Sequence, residues 1–537
     1  MRALGITVRP VDTTTYDYIV IGAGSAGCVL AYRLSQAGHS VLVLEAGGSD
    51  EGIDEIAIPA AFPNLFKTKH DWDYETVEQK HVLGRRMQWP RGRVLGGSSS
   101  INAQLYIRGN RLDYDTWAGA LGCRGWAYDD LLPYFIKAED NERGASAFHG
   151  AGGPLRVEDP RYTHDVCQAF VESAVAAGIK RNDDFNGAEQ DGVGLFQVTQ
   201  KRGRRWSTAD AYLRPALAAG AGVVTVVIDA LVTRVVIEAG RAVGVDWTAG
   251  GEPDTARVDA EVLVSGGAVN SPQLLMLSGI GPAPHLRELG IDVVADVPGV
   301  GLNLQDHLAS PVVWLTHDTP SLSEAETIAS LLRWQVLKSG PLTSTVAEAC
   351  AFTRSSSDLP APDIQYHVAA AAFVDNGMGE PPGPGFTIGP VLVAPASVGS
   401  LRLRSVDPRW SPEIDAAYLS ADQDVEALVA ATELAREIAA GGALPRWLGT
   451  ELLPGAGSVS PEALREHVRR SSQTLYHPVG TCSMGVGDAS VVDLECRVRG
   501  VEGLRVVDAS VMPAVPRGNT NAPTIAIAEK AADLILG

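Results

Sequence analysis

The stretch YDYIVIGAGSAGCVLAYRLSQAGHSVLVLEAGG, residues 16–48, decides the fold. It begins with a short apolar, β-branched run and then enters GAGSAG at 22–27, which has the pattern G-x-G-x-x-G. A helix-like run covers 26–36, and a second apolar run over 40–44 ends in Glu45. Strand, glycine turn, helix and strand in this order predict a Rossmann-like unit that binds a dinucleotide.

Each position of the turn has a physical reason for its residue type. Gly22 permits the sharp turn off the strand, Gly24 lets the backbone approach a pyrophosphate, and Gly27 lets the helix lie close to the sheet. The free N–H groups at the start of that helix, at Ser25 and Ala26, and its positive dipole end then favour phosphate oxygens. The motif therefore predicts a phosphate site at the helix start.

Glu45 stands at the end of the second strand, where its carboxylate can accept both hydroxyls of an adenosine ribose. Ala46 and two glycines follow it, with no arginine nearby, which disfavours a 2′-phosphate. The residues therefore leave FAD or NAD as the dinucleotide.

Length and charge limit the classes of function. The chain has 537 residues, too many for one core, so two or three domains are expected. The net charge of −20 repels phosphate backbones and acidic membrane surfaces, so we expect no nucleic acid and no membrane as partner.

The six cysteines are scattered and form no C-x-x-C pair. This spacing predicts neither a disulfide framework nor a zinc site, and we expect no metal. The first fifteen residues lack the apolar run of a signal peptide, and no run of about 18 apolar residues occurs. A cytoplasmic location is the default expectation.

A second glycine-rich stretch, RGRVLGGSSSIN at 91–102, cannot build a core but can present N–H groups and hydroxyls to a ligand. Its apolar flanks predict that it is buried. A third stretch over 266–282, GGAVNSPQLLMLSGIGP, follows an apolar strand, and the tail carries HPVGT at 477–481. A strand that runs into a glycine turn and a helix again places N–H groups near a cofactor.

With these motifs in order from residue 16 to 537, the chain resembles the glucose–methanol–choline (GMC) oxidoreductases, a family of FAD-dependent alcohol oxidases and dehydrogenases. The resemblance implies an α/β fold, with a Rossmann-like FAD-binding domain and a second α+β substrate domain on a mostly antiparallel sheet. Some members attach FAD through a histidine in the first signature. Ser100, Ile101 and Asn102 stand there in this chain, so the resemblance implies non-covalent FAD.

The resemblance also divides the chain between the two domains. Residues 14–160, 220–310 and 470–537 are expected to form the FAD-binding domain, and 161–219 and 311–469 the substrate-binding domain. The sequence does not reveal which side chains of the last of these line the pocket. Its proline- and glycine-rich part, 360–390, is expected to be a lid or a mobile loop.

The expected reaction removes a hydride from a carbinol carbon, to N5 of the flavin, and a proton from the hydroxyl group. Histidine suits the proton transfer, and His477 falls where the family has its catalytic histidine. Asn519, 42 positions later, matches the second catalytic position and would orient the substrate oxygen. Asn521 is the alternative and is expected to face the flavin.

The remaining expected FAD contacts combine the glycine motifs with the resemblance. Val232 is expected to reach the adenine through its backbone, and Asp508 to approach the pyrophosphate–ribityl part. The predicted cofactor-binding set is Gly22, Gly24, Ser25, Ala26, Gly27, Glu45, Ala46, Trp72, Arg93, Val94, Gly97, Ser98, Asn102, Ala103, Leu105, Val232, Gly267, Asp508, Ala509, Thr520 and Asn521.

Three local predictions concern elements near these motifs. Residues 114–138 are expected to form one helix, and 271–277 another that starts with Ser271 as its N-cap. Asp306 and His307 are adjacent, and adjacent side chains rarely converge on one atom, so we expect a structural role for both.

Several alternatives stay open at this point. A hydroxynitrile-lyase-like enzyme would use the same scaffold, and a non-catalytic flavin- or NAD-binding protein would keep only the nucleotide site. The electron acceptor could be dioxygen or another compound, and both a monomer and a homodimer are compatible with the sequence. A choline- or alkanol-like substrate is favoured by analogy alone, since a choline site needs an acidic side chain and aromatic rings.

Overall fold

The structure is a computed structural model that describes residues 6–7, 15–219, 223–317, 321–322, 327–374, 379 and 382–537. Residue 14, the expected start of the FAD-binding domain, lies outside the described residues. The same holds for residue 220, an expected boundary, and for residues 375–378 and 380–381 of the expected lid.

The first of two large sheets, called the nucleotide sheet here, has eight strands. The apolar runs around the first glycine turn form two neighbouring parallel strands, and every residue of the second, Val41–Leu44, is buried. Burial on both faces is typical of a parallel strand that is covered by other elements on each side. In spatial order the strands are Ile6–Thr7, Val224–Val227, Val41–Leu44, Thr15–Ile21, Glu252–Val264, Arg241–Ala249 and Ala230–Glu238, with Leu504–Val506 paired to Glu252–Val264.

Glu252–Val264 is the strand that joins distant parts of the chain. Its last residues pair in parallel with Thr15–Ile21 on one side and with Leu504–Val506 on the other. The carboxyl ends of these three strands therefore meet at one edge of the nucleotide sheet, which is where ligands bind in open α/β sheets.

The second large sheet, called the roof sheet here, also has eight strands, and all its pairings are antiparallel. The expected fold class is thereby confirmed. The division into five segments stays a prediction. The strands in spatial order are Leu448–Leu453, Val312–Thr316, Gly385–Leu392, Ile364–Ala369, Ala347–Thr353 and Gly192–Leu195, with Leu308–Ala309 paired to both Gly385–Leu392 and Gln473–Thr474.

Short two-stranded sheets and helices complete the described architecture. The strand pairs are Tyr74–Glu75 with Gln88–Trp89, Glu139–Asn141 with Leu155–Val157, Ile280–Gly281 with Ala295–Asp296, and Ser400–Arg402 with Glu413–Asp415. The α-helices are Ser25–Gln36, Asp54–Ala57, Arg111–Ala118, Tyr128–Ala138, Asp165–Ala176, Arg214–Ala218, Gly267–Leu277, Ala283–Glu288, Ile328–Leu337, Asp422–Ala440, Pro461–Ser471 and Asn521–Leu536.

The prediction of a single helix over 114–138 was wrong. Two helices, Arg111–Ala118 and Tyr128–Ala138, occupy this region. The segment between them contains three glycines, and two of these, Gly122 and Gly125, have positive φ angles that end a helix. Apolar periodicity alone did not reveal this break.

The expected start of the helix after the third glycine stretch was also wrong. The helix begins at Gly267, so Ser271 and Pro272 lie inside it. Proline lacks an N–H, and the carbonyl of Ala268, four residues earlier, would therefore lose its helical partner. The Thr481 hydroxyl donates to that carbonyl at 2.6 Å, which satisfies the carbonyl and explains why the proline is tolerated.

The first helix of the nucleotide unit, Ser25–Gln36, packs against Asn521–Leu536. The Arg33 guanidinium donates to both carboxylate oxygens of Glu529, at 2.6 and 2.7 Å. The Glu529 side chain is 0% exposed and that of Arg33 is 16% exposed. The described residues contain no helix with the length and hydropathy of a membrane span.

We expect Arg33→Ala to lower the free energy of unfolding by about 3 kcal/mol, because it leaves the Glu529 carboxylate buried without its main cation. The double variant Arg33→Met/Glu529→Met should recover most of this loss, since it removes both charges. Urea and thermal unfolding followed by circular dichroism would measure the effect. As a control, Arg465→Ala breaks an exposed pair with Glu426 and should cost less than about 1 kcal/mol. Equal effects of Arg33→Ala and Arg465→Ala would contradict this account.

Candidate active site

One continuous cavity runs from the first glycine turn to the roof sheet. Gly22, Gly24 and Glu45 line one end, and His477 and Asn519 line the other. The topology explains this arrangement, because the ends of strands from the beginning, middle and end of the chain meet along the edge of the nucleotide sheet.

Glu45 is anchored at the nucleotide end by two backbone N–H groups. The N–H of Ala23 donates to Oε2 and that of Gly47 to Oε1, each at 2.8 Å. Burial raises the pKa of Glu45 to about 7, against the two N–H groups that favour the charged form. The carboxylate lines the cavity at the place where the sequence predicts a ribose.

Asp508 lies just after strand Leu504–Val506 of the nucleotide sheet and lines the cavity. Its Oδ2 accepts from the N–H of Gly267 at 2.8 Å and from the Ser271 hydroxyl at 2.5 Å, while Oδ1 accepts from the N–H of Ser510. Burial raises the pKa of Asp508. The carboxylate thus fixes the start of helix Gly267–Leu277 beside the cavity.

Most of the predicted cofactor-binding residues line this cavity. Those on its wall are Gly22, Gly24, Ser25, Ala26, Glu45, Ala46, Trp72, Gly97, Ser98, Asn102, Ala103, Leu105, Val232, Gly267, Asp508, Ala509, Thr520 and Asn521.

Gly27, Arg93 and Val94 are not on the wall of the cavity. A Cβ atom on Gly27 would lie 1.9 Å from the carbonyl oxygen of Gly22, so this glycine serves helix packing. The Arg93 guanidinium lies over the ring of Trp72, 5.0 Å from its centroid, and therefore backs a residue that does line the cavity. Val94, within the glycine-rich stretch 91–102, is fully buried.

His477 lies on a loop at the roof end, followed by a proline that keeps its backbone extended. Its backbone N–H donates to Oδ1 of Asp306 at 2.7 Å. The other oxygen of Asp306 accepts from the hydroxyls of Thr474 and Tyr418. Asp306 therefore fixes the position of His477 through the main chain.

The imidazole of His477 is held between two side chains. Its Nε2 lies 3.2 Å from Nδ2 of Asn519, and its Nδ1 lies 3.0 Å from Nδ1 of His307. An amide nitrogen can only donate, so Nε2 of His477 is unprotonated and accepts with its lone pair. Nδ1 of His477 then carries the proton, and this N–H donates a hydrogen bond to Nδ1 of His307.

Asn519 is oriented in turn by the roof sheet. The side-chain amide of Gln365 lies 3.4 Å from Oδ1 of Asn519, which leaves the nitrogen of Asn519 directed at His477. Gln365 belongs to strand Ile364–Ala369, so the roof sheet sets which atom of Asn519 faces the base.

Burial keeps the imidazoles at this end neutral. It lowers the pKa of His477 well below the usual 6.5, and the nearby His307, His367 and Arg91 lower it further. It also lowers the pKa values of His307 and His367 to about 3. A neutral imidazole with a free lone pair at Nε2 is the form of histidine that accepts a proton.

The expectation for Asp306 and His307 was incomplete. They do not converge on one atom, as expected, yet both contact His477, one at its backbone and one at its ring. Adjacent residues reach different parts of a third residue because successive side chains of an extended strand point to opposite faces.

The sequence did not identify the roof-side walls. Phe62 and Phe66 lie edge to face at 6.0 Å, and Phe66 lies edge to face with Tyr476 at 5.7 Å. His367 also lines the cavity. One signal was available, since Gln365 and His367 are polar residues two positions apart in an otherwise apolar strand, and such residues share one face.

Comparison with known proteins agrees with this geometry. The N-terminal GMC oxidoreductase family model matches residues 16–309, and the C-terminal one matches residues 395–528. The chain is 43% identical to an oxygen-dependent choline dehydrogenase of Rhizobium etli over 97% of this chain and 95% of that protein. It is 44% identical to the mitochondrial choline dehydrogenase of Homo sapiens over 97% and 90% of the two chains.

A solved structure extends the comparison to the fold. Pyridoxine 4-oxidase from Mesorbium loti superposes with a TM-score of 0.88 at 33% identity, covering 96% of this chain and 98% of that one. These dehydrogenases and oxidases give no support to the lyase alternative. The chain belongs to the GMC oxidoreductases, FAD-dependent enzymes that oxidise CH–OH groups.

Proposed function

We propose that His477 is the base that removes the hydroxyl proton of an alcohol and that Asn519 holds the alcohol oxygen. The observation that carries the proposal is the pair of atoms Nε2 of His477 and Nδ2 of Asn519, 3.2 Å apart on the cavity wall. An alcohol hydroxyl that faces both atoms from the cavity would donate to Nε2 and accept from Nδ2, in place of the direct contact between them. FAD, when bound, supplies the hydride acceptor.

The surrounding residues support these roles. Asp306 fixes the main chain of His477. His307 accepts a hydrogen bond from the Nδ1–H of His477, which keeps Nε2 of His477 as the basic atom. His477 is half-buried on the cavity wall, and these contacts hold its imidazole in one orientation before a substrate binds. Gln365 supports the orientation of Asn519.

The glycines of the nucleotide end fit the pyrophosphate of FAD. Gly24 has an ordinary φ of −81°, and a Cβ atom there would lie 3.9 Å from the nearest protein atom, Cα of Gly97. Nothing in the protein fold itself therefore requires glycine at 24. A ligand close to this backbone would require it, as the sequence motif predicts.

Four further assignments complete the proposal. FAD is held without a covalent bond, because Ser100, Ile101 and Asn102 stand where a linking histidine would be. The location is cytoplasmic, as the sequence predicts. Electrons pass to dioxygen or to another acceptor, and the oligomeric state is either a monomer or a homodimer.

The names of the relatives make choline the first candidate substrate, and pyridoxine the second. Both are alcohols, so the chemistry proposed for His477 and Asn519 applies to either. An anaerobic panel of alcohols, followed through the loss of flavin absorbance, tests the function directly. Readmission of air then separates an oxidase, which recovers its absorbance quickly, from a dehydrogenase.

We expect His477→Ala to lower the rate of anaerobic flavin reduction by about 10²–10⁴-fold, because the reaction loses its general base. FAD content should stay unchanged, since the imidazole lies at the roof end. Stopped-flow absorbance would measure the rate. His81→Ala, which changes a half-buried histidine that is not on the cavity wall, is the matched control and should retain the full rate. A His477→Ala rate within threefold of the unchanged protein would refute the assignment.

The pH dependence of flavin reduction follows from the low pKa of His477. The active form is the neutral imidazole, so the rate divided by the substrate dissociation constant should fall as pH drops through that pKa. We expect the midpoint of this acid limb below pH 6.5 and a plateau from there to neutral pH. Stopped-flow profiles with an alcohol that does not titrate would show it, and an acid limb centred above pH 7 would contradict the prediction.

Two glycine variants separate cofactor binding from packing. Gly24→Ala should fold with an unchanged melting temperature of the apoprotein and yet bind FAD at least about tenfold more weakly, since the added methyl group meets only the ligand. Gly27→Ala should destabilise the apoprotein itself, because its Cβ would overlap the Gly22 carbonyl. Flavin fluorescence titration and thermal melting would measure the two effects. Unchanged FAD affinity of Gly24→Ala would remove this support for the site.

A further inference from the structure

The half of the cavity around His477 has an aliphatic wall. Among the described residues this wall is formed by Ala309, Val346, Ala347, Ala369, Val391 and Leu475. The carboxylates that line the described cavity are Glu45 and Asp508, and both belong to the nucleotide end. Neutral polar side chains such as His367, Thr387 and Gln473 also line the cavity, so a substrate beside His477 would meet alkyl groups, aromatic rings and neutral polar groups, and no described carboxylate.

The charge of Arg91, near this half of the cavity, is already offset by carboxylates. Arg91 lines the cavity, and its guanidinium donates to the carbonyl oxygen of Tyr476 at 2.6 Å. Asp71 and Asp306 act on Arg91 as its counter-charges, and neither is on the cavity wall. A substrate cation would add a second positive charge near Arg91, and among the described residues no carboxylate lines this half of the cavity to offset it.

Aromatic rings alone do not offset that charge. Phe62, Phe66 and Tyr476 lie next to one another on the wall and could face a cation. A cation–π contact contributes about 0.5–2 kcal/mol, whereas an unpaired charge in a buried site costs several kcal/mol. The same rings pack equally well against an uncharged hydrocarbon group. The balance therefore favours a neutral substrate.

Ala309 is the wall position closest in sequence to the catalytic histidines. It is two residues after His307, whose ring contacts His477, and it ends the short strand Leu308–Ala309. Its cross-strand partners Val391 and Gln473 also line the cavity. Ala309 thus stands where a longer side chain would enter the substrate space.

We propose that this enzyme selects an uncharged alcohol with an apolar carbon skeleton over a quaternary ammonium alcohol, and that Ala309 determines the choice. The inference rests on the proposed function, because it assumes that alcohols are oxidised beside His477. It departs from the name of the choline dehydrogenases that are 43% and 44% identical to the chain.

The test uses two alcohols of the same shape. Choline and 3,3-dimethyl-1-butanol differ in one atom, a quaternary nitrogen in place of a quaternary carbon. We expect the holoenzyme to be reduced anaerobically by the neutral alcohol with at least about 100-fold higher second-order rate constant than by choline. Hexanol and benzyl alcohol extend the uncharged set. Faster reduction by choline than by every uncharged alcohol would overturn the inference.

A carboxylate introduced at position 309 tests the role of that residue. Ala309→Glu should raise the ratio of the rate constant for choline to that for 3,3-dimethyl-1-butanol by at least about 100-fold, because it places a carboxylate on the wall beside the substrate. Ala309→Gln has nearly the same size and no charge, and should change the ratio by less than about threefold. Equal effects of the two variants, or none, would overturn the assignment to Ala309.

The outcomes separate the inference from the function on which it rests. Reduction by choline alone leaves the alcohol chemistry intact and refutes only the selectivity. Failure of all alcohols to reduce a protein that binds FAD refutes the proposed function instead. If Ala309→Glu loses FAD or melts at a lower temperature, Ala309→Asp replaces it, and the ratio in the unchanged enzyme still decides the selectivity.

Discussion

The site depends on one physical constraint, the exclusion of charge from the imidazole of His477. Among the described residues no carboxylate forms an ion pair with this ring, and Arg91 lies near it, so desolvation favours the neutral state. The fold then orients that neutral ring through contacts that do not neutralise it: an amide on one nitrogen, a second neutral imidazole on the other, and a carboxylate on the main chain. The same exclusion of charge shapes the aliphatic wall beside it.

Strand Glu252–Val264 makes this geometry possible. It lies between the strand that enters the first glycine turn and the strand Leu504–Val506 that leads towards Asn519. Residues from the two extremes of the described fold therefore reach one cavity. The roof sheet supplies the remaining groups, and the short strand Leu308–Ala309 connects it to the loop of His477 through Gln473–Thr474.

Much of the fold and the nucleotide end could be predicted from sequence, because glycine motifs, apolar strands and Glu45 carry local signals. The roof end could not, since its side chains come from strands whose register is set by distant pairing. Gln365 and His367 show the difference: their spacing places them on one face of a strand, but only the structure places Asn519 beside Gln365. The start of helix Gly267–Leu277 could be understood only from the contact between Thr481 and the carbonyl of Ala268, which is 213 residues away.

The contact between helices Ser25–Gln36 and Asn521–Leu536 has a consequence for biosynthesis. Glu529 leaves the ribosome 496 residues after Arg33, so the face of the early helix that packs against the later one lacks that partner for most of translation. Ten residues of the later helix are buried when it docks. Maturation of the nascent chain is therefore postponed to near-complete synthesis, and during that interval the exposed surface is a natural target for chaperones.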